Sequence, residues 1–485
     1  MSLTHGKSLV VNSFFNVCYQ LLNVLFPLVT SAYVSRVLMP DGIGKVALAQ
    51  NWAQYFVVFA ALGIPNYGIR EIARSRADSQ QLKRTFSELW ILNGISTTFS
   101  IVFFLGTIYF SGQIYSNYPL YLVVGLSIVF NYLNIDWFYQ GIEEYRYIAV
   151  RSFIVKCVSL ACIFLFVQNA NDYSWYAFVS AMAIGGNNIL NWLHLSSFKV
   201  FVIFKKINPF KHLKSVLILF STVISIQLYT LLITTLLGAM STDTAVGYYS
   251  NTMKIVRMLI TVIAALGSTL LPRLSVYRLS GEEEKSRFAV NRVFEVLLFL
   301  FLPVWAGLLI VAEPLILVLF GSQYLPAVPT MRIAAFLILA LGFSNLFGTQ
   351  VLVTYGKERS LLSCTLFGAV ACVALCIILI PRYHENGAAL ASVISECIVT
   401  ITTFICARRQ IPIAPRFEVF MKCIIGIILM SLCAWESTRL VNNVLAQFIL
   451  STGVGAIVYL SSELLLKNSI CIMLFDRIKM KDKTQ

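Results

Sequence analysis

The sequence predicts an all-α, polytopic membrane protein with about fourteen transmembrane helices. Three observations lead to this fold class. Hydrophobic residues make up 58% of the 485 positions and charged residues only 12%, whereas soluble proteins carry roughly 25% charged residues. Apolar segments of about 20 residues, long enough to cross the hydrocarbon core of a bilayer, recur along the whole chain. Basic residues are concentrated in every second segment between them, as the positive-inside rule describes.

The predicted spans leave no segment long enough to form a soluble domain. The least regular part is 313–329, where Pro314, Pro326 and Pro329 interrupt an apolar segment, and we interpret it as an outside loop that is partly re-entrant at most. The fourteen predicted spans are 9–34, 43–64, 87–110, 119–139, 152–168, 175–196, 215–238, 247–271, 289–312, 330–354, 361–380, 387–407, 420–439 and 444–466.

The distribution of Lys and Arg predicts the orientation. With both termini in the cytoplasm, 29 of the 37 basic residues fall in inner segments and five in outer segments. This bias is the one that the positive-inside rule produces. The net charge of +15 is therefore spread in short groups between apolar spans. It does not form the contiguous basic surface of a nucleic-acid-binding protein.

A faint internal repeat predicts the domain organisation. Pro65 and Pro272 each follow a span and open a basic inner loop, and they are 207 positions apart. Gly141 and Gly356 follow spans four and ten and are 215 positions apart. A repeat that keeps its orientation in the membrane is a transporter architecture. We therefore expect six-helix bundles at 1–214 and 215–410, followed by two further helices and a basic cytoplasmic tail at 411–485.

Three segments carry a resemblance to a known family. Residues 63–74 read GIPNYGIREIAR, residues 136–146 read DWFYQGIEEYR, and residues 312–326 contain AEPLI and LFGSQYLP. Together they resemble the polysaccharide transporters, specifically the O-antigen flippases. Drug antiporters and the lipid II flippase belong to the same superfamily. The motif positions that carry over are Arg70, Glu71, Gly141 and Glu143.

This resemblance implies a fold and a function. The fold would be two six-helix bundles arranged as a V around a central cavity that opens alternately to each side. The cargo would be an undecaprenyl-pyrophosphate-linked O-antigen repeat unit, moved from the cytoplasmic to the periplasmic face of the inner membrane. Membrane lipids, an O-antigen polymerase and a chain-length regulator are the partners that it implies. The alternative is a cation-coupled drug or small-solute antiporter of the same fold.

Carboxamide side chains form a stripe along the first span. They are spaced so that all lie on one face of a helix. Because carboxamides are not expected to face lipid, this stripe predicts a polar cavity, or else a hydrogen-bonded seam with another helix. Gln50 on the second span is a weaker instance of the same signal. The stripe consists of Asn12, Asn16, Gln20 and Asn23.

Charged residues inside spans are further candidates, since a cation at a helix centre costs about 2.5–3.5 kcal/mol to insert. Lys254 and Arg257 share one face of the eighth span, and we expect them to bind the pyrophosphate. Lys156 contacts cargo or extends to the inner surface. Glu396, in the middle of the twelfth span, either carries a proton for coupling or pairs with another helix.

Other acids are spaced for local pairing on one helix face, at intervals of three or four residues. Asp136 and His194 lie near inner span ends. We interpret Asp136 as an interfacial contact and predict no functional role for His194. The three predicted local pairs are Arg292 with Glu295, Glu436 with Arg439, and Glu463 with Lys467.

Enzyme signatures are missing from the sequence. A polymerase or ligase would need a large outer loop with Arg and His, but the outer segments are short and hold one His, His384. Cys372 and Cys376 lack the His or acidic neighbours of a zinc site. We therefore expect a transporter that uses no metal and no cofactor.

Overall fold

The computed structural model describes residues 9–111, 117–204, 207–267, 276–277, 280 and 282–473. Within these ranges the chain is α-helical, with short 3₁₀ and π segments and no β-strand. This confirms the all-α fold class. The helices are α1 Leu9–Ala61, α2 Ile64–Ser75, α3 Ser79–Phe110, α4 Tyr118–Val129, α5 Asp136–Gly141, α6 Tyr145–Phe166, α7 Tyr173–Leu195, α8 Leu213–Met240, α9 Asp243–Gly267, α10 Glu283–Phe320, α11 Ala327–Ala334, α12 Phe336–Ser344, α13 Glu358–Arg408, α14 Phe417–Arg439 and α15 Val444–Leu465.

Eight helices among the described residues are long and apolar enough to cross a membrane. Two of them are unusually long because each contains a sharp kink. In α1 the kink is at Met39 (φ 59°), which precedes Pro40, and a proline disfavours the α conformation of the residue before it. In α13 the kink is at His384 (φ 47°). The multi-pass membrane class is thus confirmed, and the number of fourteen spans stays a prediction.

Two segments that we interpreted as loops are helical. Residues 65–75, which we placed in an inner loop, belong to the amphipathic helix α2. Gly63 adopts a left-handed conformation (φ 72°) that ends the preceding turn, and Pro65 lies in the first turn of the new helix, a position that tolerates proline.

The second correction concerns the segment 313–329. Its first part continues α10 as far as Phe320, so the outside-loop interpretation of 313–320 is wrong. Pro314 removes a single backbone donor, and buried transmembrane helices accommodate such a loss. The helix ends instead at Gly321 (φ 91°), whose conformation favours glycine.

The fourth predicted span, 119–139, is broken in its second half. Helix α4 ends at Val129, a 3₁₀ turn covers Phe130–Leu133, and α5 begins at Asp136. Side chains satisfy the backbone groups that the break exposes. Asn93 donates to the Asn131 carbonyl oxygen (2.6 Å), and the Asp136 N–H donates to Asn134 Oδ1 (3.3 Å). Such bonds compensate for lost helical bonds.

The chain divides into an N-terminal unit, Met1–Gly247, and a C-terminal unit, Tyr248–Gln485. In the N-terminal unit an aromatic core joins α2, α3, α5 and α7. In the C-terminal unit α10 packs on α14 and α15. The boundaries that we predicted at 214 and 410 stay predictions. The N-terminal aromatic core includes Tyr67, Phe86, Trp137, Phe138, Tyr139 and Trp192.

Candidate functional site

The N-terminal unit contains a cavity of about 290 Å³. Its lining is mostly neutral and polar, with carboxamides and hydroxyls from the second half of α1, the α4 region and α7. Of the described residues that line it, none is acidic or basic. The lining residues are Gln50, Gln54, Val57, Val124, Ser127, Asn131, Asn134, Ala177, Ser180, Ala181, Ile184 and Asn188.

Most of the polar side chains in the lining form hydrogen bonds with other residues of the protein. Asn188 donates to the Phe130 carbonyl oxygen (2.9 Å), and Asn131 donates to Asn93 Oδ1 (2.9 Å). By contrast, Gln50 and Gln54 make no side-chain hydrogen bond to any residue that the structure describes. A fixed polar wall with two available carboxamides can donate to and accept from a ligand rich in hydroxyl groups.

The carboxamide stripe of α1 lies in the same unit. Gln20 Nε2 donates to Asn16 Oδ1 (3.4 Å), and the side chains of Gln20 and Asn23 are exposed. Lys156 of α6 donates to Asn23 Oδ1 (2.7 Å), so the structure brings two of the sequence-predicted residues together. The side chain of Asn12 lies outside the described residues.

Next to the cavity is an ion pair that we did not predict. Asp136 Oδ1, at the start of α5, accepts hydrogen bonds from Arg151 Nη1 (2.9 Å) and from Asn191 Nδ2 (2.6 Å). Arg151 Nε donates to Asn187 Oδ1 (3.0 Å), and its side chain is only 2% exposed. We had placed Arg151 in an inner loop, but it lies in the second turn of α6 and is buried.

His194 also has a structural role near this pair. Its ring stacks on Tyr147, with centroids 4.1 Å apart. Tyr139 donates its hydroxyl to the Asn191 carbonyl oxygen (2.5 Å), which ties the same helix to α5.

The predicted cations of the eighth span lie in the C-terminal unit. Lys254 and Arg257 are three positions apart on α9, so they share one face of the helix. Lys254 is half-buried and Arg257 is exposed. Lys254 Nζ donates to Asn251 Oδ1 (3.1 Å). Their role as an anion site stays a prediction.

Glu396 lies in the second part of α13 and is 4% exposed. Its carboxylate is close enough to the Cys372 thiol of the first part to interact electrostatically. Both alternatives for Glu396, a proton carrier or a partner in a contact between helices, stay open.

The two specific family segments pack directly on each other. A Cβ added to Gly141 would lie 2.7 Å from Ile72 Cβ, so only glycine allows this approach of α5 to α2. Arg76, two residues after the first segment, pairs with Glu143 of the second (2.9 Å). Arg70 Nε lies 3.4 Å from Glu71 Oε1, and Arg74 Nη1 pairs with the same oxygen (3.1 Å). Gly141 and Glu143 thus hold the second segment against the first, whereas Arg70 and Glu71 pair within α2.

The family described as "Polysaccharide biosynthesis protein" matches residues 9–278, which is more than half of the chain. The chain belongs to this family. A relative called "Putative O-antigen transporter" from Escherichia coli (strain K12) is 24% identical over 419 residues, covering 84% of this chain and 98% of the relative. The predicted family is therefore confirmed. The relative is named for transport, which agrees with the prediction that the protein is not an enzyme.

Solved structures confirm the fold. The structure of "Lipid II flippase MurJ, inward closed conformation" aligns with a TM-score of 0.67 at 15% identity, covering 92% of this chain and 100% of that one. An inward-facing multidrug resistance MATE family transporter of the MOP superfamily aligns with a TM-score of 0.64 at 15% identity, covering 80% of this chain and 94% of that one. Because both a flippase and a drug transporter share the fold, the fold does not distinguish between their cargoes.

Proposed function

We propose that this protein is a flippase that translocates undecaprenyl-pyrophosphate-linked O-antigen repeat units from the cytoplasmic to the periplasmic face of the inner membrane. The observation that carries the proposal is the lining of the cavity in the N-terminal unit. Sugars present hydroxyl groups that both donate and accept, and carboxamides and serine hydroxyls match them. A site for a cationic drug would need acids, and none is among the described residues that line this cavity.

The size of the cavity suits part of the cargo. At about 290 Å³ it is at the lower end of the range of about 300–1,000 Å³ for small-molecule sites. It can hold one sugar ring but not a whole repeat unit with its lipid. The cavity is therefore proposed as a subsite for a single residue of the glycan.

The remaining predicted residues take roles in the same proposal. Lys254 and Arg257 would bind the pyrophosphate, since a doubly charged group that leaves water needs cations and charge-assisted hydrogen bonds. Lys156 and Asn23 would contact the cargo on the N-terminal unit. Cytoplasmic termini, and a polymerase and a chain-length regulator as partners, belong to the proposal as well.

The test is deletion of the gene followed by complementation. Without the protein, lipid-linked repeat units should accumulate on the cytoplasmic face, and surface polysaccharide should disappear. Gln50→Leu together with Gln54→Leu should lower the transport rate by tenfold or more at unchanged protein abundance. Gln81→Leu is the matched control, because Gln81 is exposed at the start of α3 and away from the cavity. Accumulation on the periplasmic face would contradict the proposal.

The anion site has its own test. Arg257→Lys should keep part of the transport, whereas Arg257→Gln should abolish it without lowering abundance. The reason is that only a cation replaces the hydration lost by the pyrophosphate. Full transport by Gln variants at both 254 and 257 would remove the anion site from the proposal.

A further inference from the structure

The Asp136–Arg151 pair adjoins the cavity of the N-terminal unit. Asn134 lines the cavity, and its Oδ1 accepts the N–H of Asp136 (3.3 Å). Asn188 lines the cavity on α7, one turn before Asn191, which holds the carboxylate. The carboxylate is therefore linked to the neutral polar lining of the cavity through Asn134 on one side and through α7 on the other.

The two side chains of the pair differ in exposure, which a purely structural ion pair does not require. Arg151 is 2% exposed, whereas the side chain of Asp136 is 29% exposed. Both bonds from Arg151 and Asn191 reach the same oxygen, Oδ1. Within the described part of the chain, Oδ2 of Asp136 accepts no hydrogen bond. The buried cation thus orients a carboxylate whose side chain stays partly exposed and whose second oxygen accepts no hydrogen bond from the described residues.

Further polar groups lie near the ion pair. Tyr19, one turn before Asn23 on α1, is close enough to Asp136 and Arg151 to interact with them electrostatically. Asn23 in turn accepts from Lys156 (2.7 Å). The carboxamide stripe of α1 and the ion pair are consequently parts of one polar region.

A carboxylate with one oxygen fixed and one available is a strong acceptor for vicinal hydroxyls. Hydrogen bonds between O–H groups and a carboxylate are roughly twice as strong as neutral ones. They discriminate well, because a site built to bind a hydroxyl rejects an analogue that lacks it. Arg151 contributes here by orientation, since a preorganised acceptor loses no rotamer entropy on binding.

We propose that Asp136 binds sugar hydroxyls of the cargo through Oδ2, and that Arg151 is the positioning residue that holds it. This inference rests on the proposed function, and it adds a contact for hydroxylated cargo beside the cavity, outside its lining. Asp136 is then a specificity-determining residue, and Arg151 acts only through it.

The experiment separates binding from structural pairing. Asp136→Asn alone leaves Arg151 without its counter-charge and should lower protein abundance. The double variant Asp136→Asn/Arg151→Gln removes both charges, so the abundance should return. Transport should stay low in the double variant, because the charged acceptor is still missing. Restored abundance with full transport would overturn the proposal.

Binding is measured on the purified full-length protein in nanodiscs. The two probes are the water-soluble oligosaccharide released by mild acid from the accumulated lipid fraction, and undecaprenyl pyrophosphate. The double variant should bind the oligosaccharide about tenfold more weakly, which corresponds to about 1.4 kcal/mol. It should bind undecaprenyl pyrophosphate as the wild type does.

A second neutralised pair serves as the control. Glu282→Gln/Lys285→Gln removes an exposed ion pair of 3.0 Å and should leave binding of both probes unchanged. If the wild type binds neither probe, the proposed function fails. If the wild type binds the oligosaccharide and the Asp136 double variant binds it equally, only this inference fails.

Discussion

Two buried carboxylates, one in each unit, invite comparison. Glu88 lies near the start of α3 and Glu295 in the first half of α10, 207 positions further along the chain. The same spacing separates Pro65 from Pro272, although Pro272 lies outside the described residues. Each carboxylate binds the segment that leads into a later helix of its own unit, α8 in one and α14 in the other.

The Glu88 cluster consists of Glu88, Arg84, Asn208, Lys211 and His212. Oε1 accepts from the Asn208 N–H (2.9 Å) and from Arg84 Nε (3.1 Å). Oε2 accepts from Lys211 Nζ (2.6 Å) and faces His212 Nε2 (3.0 Å). The charge of Glu88 is therefore shared among several separate partners.

The Glu295 cluster consists of Glu295, Arg292 and Arg416. Arg416 alone supplies its backbone N–H (3.1 Å), Nε (2.9 Å) and Nη2 (2.8 Å). Arg292 adds Nη1 (3.1 Å) and also donates to the Ser469 carbonyl oxygen (3.3 Å). Glu88 is thus held by several separate partners, and Glu295 mainly by one bidentate arginine with a second arginine beside it. A buried carboxylate is common to both clusters, but the cations differ, because arginine presents a planar fork and lysine a single point charge.

The largest expected effect is loss of Glu88 itself. Glu88→Ala should destabilise the protein by about 3 kcal/mol, because it leaves a buried imidazole and a backbone N–H without their acceptor. The measurement is thermal inactivation in detergent together with abundance in the membrane. Glu436→Ala is the control, since Glu436 is 62% exposed and its pair with Arg439 is long (3.6 Å). Equal behaviour of the two variants would contradict a role for burial.

The second effect tests the difference in partners. Arg416→Ala should lower the free energy of unfolding by about 1–2 kcal/mol, although its side chain is 53% exposed. The reason is that this one residue supplies both side-chain hydrogen bonds from the α14 segment to Glu295. Lys211→Ala should cost less than about 1 kcal/mol, since Arg84 and His212 remain. Thermal inactivation of the two variants under the same conditions provides the comparison. A larger loss for Lys211→Ala would reverse the proposed contrast.

A smaller effect concerns the link from the Glu88 cluster to α2. The Tyr67 hydroxyl contacts His212 Nδ1 (2.8 Å), so the cluster reaches a third element. Tyr67→Phe should lower the free energy of unfolding by about 1 kcal/mol. It should also speed amide hydrogen exchange within 64–75. Exchange within 412–420 serves as the internal control and should not change. Unaltered exchange in both segments would show that the contact does not stabilise α2.

The last prediction concerns the labelling of introduced cysteines, which leaves stability unchanged. It tests whether both clusters lie on one side of the membrane. Gln81→Cys and Arg409→Cys are at exposed positions near the two clusters. In a background without native cysteines, both should resist a membrane-impermeant maleimide in intact cells and react after permeabilisation. Opposite labelling of the two positions would break the predicted topology and the equivalence of the clusters.

Local pairing shows how far the sequence alone could predict such contacts. The pairs of Arg292 with Glu295 and of Glu436 with Arg439 are confirmed, at 3.1 and 3.6 Å. The third predicted pair is wrong, because α15 ends at Leu465 and Lys467 has a positive φ of 52°. Glu463 instead accepts a hydrogen bond from Asn468. Spacing predicts contacts only while the helix continues.

The membrane class, the helical fold and the family could be predicted from the sequence, because they depend on composition, on apolar length and on short motifs. Which residues meet became evident only from the packing of the helices. Asp136 and Asn191 are 55 positions apart, and Glu88 and His212 are 124 apart. Helical periodicity carries information over about four residues, so it could identify a polar face but not the helix that faces it. That is why the carboxamide stripe was predictable, whereas the buried Arg151 and the carboxylate that it orients were not.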